Sequence, residues 1–199
     1  MFTLDALPAS LSWHNEPAAF TTEGGALTIS AGALTDWFVD PAGAGAPRMD
    51  APAALLTPPD DAFLFSARVT VDFGATYDAG ALALHAGDDV WAKLCFEYSP
   101  QREPMVVSVV TRGASDDCNS TVIDGNSVWL RVHRDRRRLA YHYSLDGQYW
   151  HLVRHFTLGD LEDPRIGFLA QSPTGPGCTV TFDSISYRAA VLADLRSGE

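Results

Sequence analysis

Short runs of alternating apolar and polar residues, each ended by Gly, Pro, Asp or Asn, extend along the chain and leave almost no helical periodicity. This pattern is typical of an all-β sandwich. The clearest run is "VWAKLCFEYS", Val90–Ser99. Its even-numbered residues are apolar, and its odd-numbered residues are Trp91, Lys93, Cys95, Glu97 and Ser99. Because successive side chains of a strand point to opposite faces, one face should pack in a core while the other carries the mixed row.

Asp-Gly pairs and a Gly-Asp-Asp segment predict where strands turn back. The segment "YHYSLDGQYWHLVRHF" indicates two strands joined at Asp146-Gly147, and "TVIDGNSVWLRVHR" indicates a turn at Asp124-Gly125 followed by a strand. A third hairpin should turn at residues 87–89 within "GALALHAGDDVWAKLCFEYS". Asp-Gly flanked by alternating apolar residues is a strong hairpin signal.

Further strands are predicted from similar runs at Ala26–Ser30, Asp36–Val39, Phe63–Phe73, Met105–Arg112, Arg165–Gln171 and Cys178–Arg188. Residues 40–59 are rich in Pro, Gly and Ala, which predicts a long surface loop with a short strand near Ala53–Leu56. Residues 189–199 should form a frayed tail or one helical turn. Roughly twelve short strands predict two stacked antiparallel sheets in a single domain spanning residues 1–199.

Charge and cysteine content restrict the function classes. The formal net charge is −11, so the chain should repel nucleic acid and anionic membranes, and we expect the Arg-rich run "RVHRDRRRL" to be solvated strand ends. No signal peptide and no apolar stretch of roughly 18 residues occur. Three scattered cysteines favour reduced thiols and a cytoplasmic location, although a Cys118–Cys178 disulfide is left open.

Several ordered blocks resemble a known family. They are "YDAGALALHAGDDVWAKLCFEYS", "MVVSVVTRGASDD", "VWLRVHRD", "YSLDGQYWHLVR" and "IGFLAQSP". The chain resembles, from about residue 11 to about residue 187, the domain of unknown function found in fungal regulation-of-enolase proteins and many bacterial proteins. The resemblance implies a concanavalin A-like jelly-roll sandwich of the lectin/glucanase superfamily, a fold that hosts lectins, glycosidases and interaction modules. Where the family tends to carry Ser-Asp-Trp, this chain has Ser115-Asp116-Asp117.

The mixed row predicts a binding face on the outer, concave side of one sheet. Sugar sites combine aromatic rings with charged or amide groups, and Trp91, Lys93 and Glu97 supply both. The same alternation in "VWLRVHRD" buries the even-numbered residues and predicts Trp129, Arg131 and His133 on the opposite face. Arg131 is the candidate to pair with Glu97. Arg112 and Asp116 complete the predicted hydrogen-bonding set. The alternative is an ordinary solvated sheet face with ion pairs of little energetic value.

Three functions remain open at this stage. The preferred one is non-catalytic, lectin-like binding of a saccharide or polar small molecule, with no catalytic residue and no metal assigned. The alternative is a protein-interaction module of metabolic regulation, which the resemblance implies. Glycoside hydrolysis is less favoured, because Glu97 has no carboxylate beside it on its strand and a second one would have to come from Asp78 or Asp116. No cofactor is expected, although Asp116, Asp117 and Asn119 in a presumed loop leave Ca²⁺ as an option.

Overall fold

A computed structural model describes all residues from 1 to 199, which form sixteen β-strands and no α-helix. The strands are β1 (Ser12–Trp13), β2 (Ala19–Glu23), β3 (Ala26–Ser30), β4 (Trp37–Phe38), β5 (Arg48–Met49), β6 (Ala53–Leu56), β7 (Ala62–Asp72), β8 (Ala79–His85), β9 (Val90–Tyr98), β10 (Pro104–Arg112), β11 (Ala114–Val122), β12 (Ser127–Asp135), β13 (Arg138–Ser144), β14 (His151–Phe156), β15 (Arg165–Gln171) and β16 (Thr179–Arg188). The structure contains no helix with the length and hydrophobicity needed to span a membrane.

Two antiparallel seven-stranded sheets form the sandwich. We call them the front sheet, in the order β1-β6-β15-β8-β9-β10-β11, and the back sheet, in the order β14-β13-β12-β7-β16-β3-β2. The core between them contains the apolar rows that alternation predicted. From β9 it takes Ala92, Leu94 and Phe96, and from β12 it takes residues 128, 130 and 132. Burial of these two rows against each other is the main stabilising term of such a sandwich.

A second, smaller apolar layer covers part of the outer face of the front sheet. Trp37 from β4 is fully buried there against Trp91, with ring centroids 5.8 Å apart in an edge-to-face arrangement. The Trp37 indole N–H donates to the carbonyl of Ala51 at 3.1 Å. Backbone pairs join Thr35 to Ser172. The β4 segment therefore crosses the outer face of the sheet.

Several predicted strands agree with the structure, and two predictions were wrong in an informative way. Ala26–Ser30, Ala53–Leu56 and Arg165–Gln171 are strands with the predicted bounds. The "SDDCNS" segment was expected to be a loop but lies in β11, an edge strand paired only with β10. Its mostly exposed side chains give no apolar alternation. Residues 40–59 contain the predicted short strand, but β5 and the buried Ala51 were not predicted, so the segment is only partly a surface loop.

The C-terminal tail is docked on the outer face of the back sheet rather than frayed or helical. The Arg131 guanidinium donates to the carbonyl of Gly198 at 2.7 Å, and His142 Nε2 lies 2.8 Å from the carbonyl of Leu195. Gly198 has φ +78°, and a Cβ there would come within 2.8 Å of the Trp150 Cβ. This position therefore requires glycine for both its backbone conformation and its close contact.

Candidate functional site

A cavity of about 240 Å³ opens on the outer face of the front sheet, beside the second apolar layer. Five strands and three loops supply its lining, which consists of Asp36, Phe38, Tyr77, Lys93, Glu97, Val109, Asp117, Gln171 and Pro173. The β4 segment forms one wall, because it crosses the sheet from Ser172 to the start of β11, where Val39 N donates to Ser115 Oγ at 3.0 Å.

Strand β9 provides the charged floor of this cavity. Lys93 and Glu97 are four residues apart and therefore point to the same face of the strand, as alternation predicted. Their partners on β8 are Ala83 and Ala79, and both are small. On the other side, Val109 of β10 is paired with Lys93. Small neighbours leave the space above the two charged side chains open, which is why a cavity forms at this place in an otherwise covered face.

Lys93 is held in a buried polar network. Its side chain is only 2% exposed, and Nζ donates to Gln171 Oε1 at 2.7 Å and to Asp36 Oδ1 at 3.4 Å. Burial alone would lower the pKa of Lys93, but the surrounding acidic groups, Asp36 first among them, outweigh burial and raise it. Lys93 is therefore a fixed positive charge at one end of the cavity.

Glu97 is the exceptional group of the site. Its side chain lines the cavity and is 9% exposed, yet it forms no hydrogen bond and no ion pair with any protein group. Burial raises its pKa to about 8, with nearby Lys93 opposing and Asp117 and Asp36 adding to the shift. Buried polar groups almost always have a partner. The Glu97 carboxyl thus has no protein partner, and its oxygens are reached only from the open cavity, where solvent or a ligand can hydrogen-bond to them.

Asp117, and not Asp116, is the acidic residue that β11 contributes. Asp117 is paired with Val109 across β10–β11 and lines the cavity, where burial raises its pKa. Asp116 is turned to the opposite face, where it forms an ion pair with Arg154 at 2.9 Å. The prediction that Asp116 belongs to the binding set was therefore wrong, because the segment is a strand and adjacent residues point apart.

The rim of the cavity is aromatic and amphipathic. Tyr77 is 40% exposed and has φ +70°, and its backbone carbonyl accepts a hydrogen bond from Gln171 Nε2 at 3.3 Å. Phe38 and Pro173 form other parts of the rim. Sequence alternation did not identify Tyr77, Phe38 and Gln171 as site residues. They lie at strand ends and in a loop, and only the folded topology brings them to this cavity.

Comparison with known proteins places the chain in a family. Residues 13–190 match the family model described as "Protein of unknown function (DUF1349)". The chain belongs to the DUF1349 family. It is 29% identical over 180 residues to "Regulation of enolase protein 1" of Saccharomyces cerevisiae (strain ATCC 204508 / S288c), a match that covers 89% of each chain. The resemblance predicted from about residue 11 to 187 is confirmed.

Solved structures confirm the predicted all-β jelly-roll sandwich. A functionally unknown protein from Saccharomyces cerevisiae superposes with a TM-score of 0.82 and 26% identity, covering 92% of this chain and 98% of that one. A GH43 protein of Bacillus licheniformis gives 0.72 and 13% identity, covering 91% of this chain and 37% of that one. The carbohydrate-binding module CBM66 from Bacillus subtilis gives 0.55 and 13%, covering 94% and 99%.

Trp91 is not available as a stacking platform in this DUF1349 chain. Its side chain is 0% exposed, because Trp37 packs on it. The expectation that Trp91 presents its ring to a ligand was wrong, since the outer face is partly covered by the β4–β5 segment, whose crossing was not visible as a pattern in the sequence.

Three further residues predicted for the site lie on the back sheet and therefore do not reach the cavity of the front sheet. Trp129, Arg131 and His133 belong to β12 of the back sheet. Arg131 packs over Trp150, with the guanidinium carbon 4.2 Å from the ring centroid, and donates to the tail at Gly198. The prediction that Arg131 meets Glu97 was wrong, because alternation gives the face of a strand but not the sheet to which it belongs.

Arg112 also lies outside the cavity. It is exposed at the end of β10, and its guanidinium lies 3.4 Å from the carbonyl oxygen of Thr157. Its even-numbered position places it on the same side of β10 as the core residues Val106 and Val110. Arg112 therefore does not join Lys93 and Glu97 in this cavity, in contrast to its predicted place in the hydrogen-bonding set.

The aspartates considered as Ca²⁺ ligands and the three cysteines are not arranged as a metal site or a disulfide. Asp116 and Asp117 point to opposite faces, so they do not converge on one ion, and no group of three or more His, Cys, Asp or Glu side chains is placed to hold a metal. Cys95, Cys118 and Cys178 are free, with only Cys118 exposed. Burial raises the pKa of Cys178 to about 12.

The carboxyls that share the cavity with Glu97 are not the ones expected. Asp78 is fully buried, and its carboxylate accepts hydrogen bonds from Gly74 N, Ala75 N and Ser172 Oγ. It therefore anchors a turn. Asp36 and Asp117 are instead the acidic residues that line the cavity with Glu97.

Proposed function

We propose that this chain is a non-catalytic binding protein for one small polyhydroxylated molecule of monosaccharide size, held in the cavity above Lys93 and Glu97. The observation that carries the proposal is the Glu97 carboxyl, buried and without a protein partner at the floor of an open cavity. Burial of this carboxyl costs solvation that no protein group restores, and a ligand in the cavity that hydrogen-bonds to it would offset that cost.

The lining suits vicinal hydroxyls. Lys93 donates at one end, the protonated carboxyl of Glu97 donates or accepts at the floor, and Asp117 accepts at the rim. Tyr77 and Phe38 offer apolar surfaces for the C–H face of a ring. The cavity of about 240 Å³ is smaller than the roughly 300–1,000 Å³ of drug-sized ligand sites, which favours a single ring over an oligosaccharide. The shared fold with a carbohydrate-binding module supports this ligand class.

Glycoside hydrolysis is the second candidate, favoured by one observation. Glu97 has a raised pKa and lines the same cavity as Asp117, so a candidate general acid and a second carboxyl are both present. Asp36 is less suited to either role, because it is paired with Lys93. Release of nitrophenol from a panel of aryl glycosides, lost in Glu97→Gln, would establish hydrolysis and replace the binding proposal.

A regulatory protein partner is the third candidate. It is supported by the relative named for regulation of enolase. A protein partner would contact the exposed rim and the loop at residues 40–47, and it would tolerate single changes at the buried floor. Loss of binding on Glu97→Gln therefore separates a small ligand from a protein surface.

The test is thermal melting with a panel of neutral monosaccharides. A ligand at 100 times its Kd should stabilise the folded state by about 2.7 kcal/mol, which corresponds to a Tm shift of about 5–11 °C for a domain of this size. We expect the shift to disappear in Glu97→Gln and to weaken in Asp117→Asn. Asp116→Asn is the matched control, because it changes the neighbouring carboxylate on the opposite face. Equal shifts in all variants, or no shift with any sugar, would refute the proposal.

A further inference from the structure

The cavity contains an imbalance of charged groups. Asp36, Glu97 and Asp117 contribute three carboxyls, and Lys93 contributes the one ammonium that lines it. Lys93 is committed to Asp36 and Gln171. Arg154 forms its ion pair with Asp116, whose side chain points to the opposite face of β11, so Arg154 acts on Asp117 only at a distance and less strongly than Lys93 does.

Two carboxyls therefore line the cavity without a cation of their own. Glu97 lies on the floor, nine-tenths buried and without a hydrogen bond or ion pair, and Asp117 lines the cavity from the edge strand β11, level with Lys93, where it is exposed. The remaining ionisable neighbour on β9 is Cys95, which is fully buried and whose thiol has a raised pKa because of burial, so it supplies no positive charge. Tyr77 and Gln171 complete the polar lining and are uncharged partners.

We infer that the ligand of this cavity carries a protonated amine, as in an amino sugar or amino polyol, and that its ammonium lies between the carboxyls of Glu97 and Asp117. This inference rests on the proposed function and specifies its ligand class. An ammonium has three donors, enough to satisfy both carboxyls and one further acceptor. It also adds a positive charge beside Asp117, and beside Glu97 once that carboxyl ionises, where the nearby charge is otherwise that of Lys93, already paired with Asp36.

Binding of such a ligand should release a proton. Glu97 is about nine-tenths protonated at pH 7 if its pKa is about 8. When the ammonium enters, the Glu97 carboxyl loses its proton to solvent and the carboxylate pairs with the ammonium. No other bond forms or breaks. For an alkyl amine that stays protonated, the affinity should rise about 50-fold between pH 6 and pH 8.

The experiment is isothermal titration calorimetry on the full chain with matched probes. D-glucitol is compared with 1-amino-1-deoxy-D-glucitol, and D-glucose with D-glucosamine, so that each pair differs in the amine. Titrations at pH 7 in two buffers of different ionisation enthalpy measure the proton release. We expect the amine to bind at least tenfold more tightly than its neutral parent, with nearly one proton released.

Variants keep the inference separate from the proposed function. Glu97→Gln should abolish both the preference for the amine and the proton release, Asp117→Asn should reduce the preference, and Asp116→Asn should change neither. Melting curves of each variant check that it folds. If neutral sugars bind in a Glu97-dependent manner without any gain from the amine, this inference is refuted while the proposed function stands. If none of the four probes binds, both are refuted.

Discussion

The raised pKa of Glu97 predicts that the folded chain loses stability as the pH rises through neutrality. The folded state keeps Glu97 protonated up to a pKa of about 8, because the side chain is buried beside Asp117 and Asp36. An unfolded chain ionises the same residue near pH 4.3. Between these values the folded state binds more protons than the unfolded state, so the free energy of unfolding falls with increasing pH.

The magnitude follows from the size of the shift. A change from 4.5 to about 8 corresponds to about 5 kcal/mol over the whole window. Below pH 6.5, histidines act in the opposite direction, since burial lowers the pKa of His85, His133 and His142 to about 4 in the folded state. In the unfolded chain these histidines are still half protonated at pH 6.5, so they offset part of the Glu97 slope up to about pH 7.5, and they do so equally in wild type and in a Glu97 variant. The contribution of Glu97 between pH 6.5 and 9 is about 2 kcal/mol, or about 4–8 °C in Tm.

The assay compares wild type with Glu97→Gln by urea unfolding at several pH values from 6.5 to 9. Glutamine keeps the shape and does not titrate, so the slope assigned to Glu97 should vanish in the variant. Lys93 does not interfere, because its raised pKa makes its contribution decline only at higher pH. Asp117→Asn tests whether the second carboxyl contributes in the same direction. Parallel curves for wild type and Glu97→Gln would refute the assignment of a buried, protonated carboxyl.

Three other outcomes are expected. Trp37→Ala should lower the free energy of unfolding in urea by about 3–5 kcal/mol, because it empties the centre of the second apolar layer, and a loss near zero would contradict that role. A thiol reagent should label one cysteine, Cys118, in the folded chain and also Cys95 and Cys178 after unfolding. Two or more labelled thiols in the native state would contradict their burial. Gly198→Val should release the tail and make trypsin cleave it several-fold faster. An unchanged cleavage rate would contradict the docked tail.

Sequence patterns identified the strands whose apolar residues pack in the core and whose ends carry turn signals. Arg165–Gln171 and Ala26–Ser30 have the predicted bounds because apolar residues and turn signals delimit them. The β11 strand has neither signal. It is an edge strand with mostly exposed side chains, and its sequence favours a loop. Backbone pairing with β10 makes it a strand, and local sequence patterns do not show such pairing.

The candidate site was predicted in part for a similar reason. Alternation correctly assigned Lys93 and Glu97 to one face, and it also assigned Trp91 to that face. It did not tell which part of the face is covered, and that depends on where the β4 segment crosses. It also joined Arg131 to Glu97, although the two lie on different sheets. Period-two patterns specify the face of a strand, whereas the partner strands and the covering layer are set by topology.

The residues that line the cavity depart most from the apolar composition of the face on which they lie. Three carboxyls and a lysine occupy a face that elsewhere is filled by alanine, valine, leucine and tryptophan. Replacing such a group by packed apolar residues is often neutral or stabilising, so stability alone gives little reason to keep it. Residues that break the local rule at a cost in stability are expected at functional sites. On the back sheet the tail itself occupies the polar groups, since the carbonyls of Gly198 and Leu195 bind Arg131 and His142, although Arg131 Nε and His142 Nδ1 have no partner. A carboxyl that has no protein partner and faces an open cavity, rather than burial of charge as such, is the reason to propose the floor of the front sheet as the binding site.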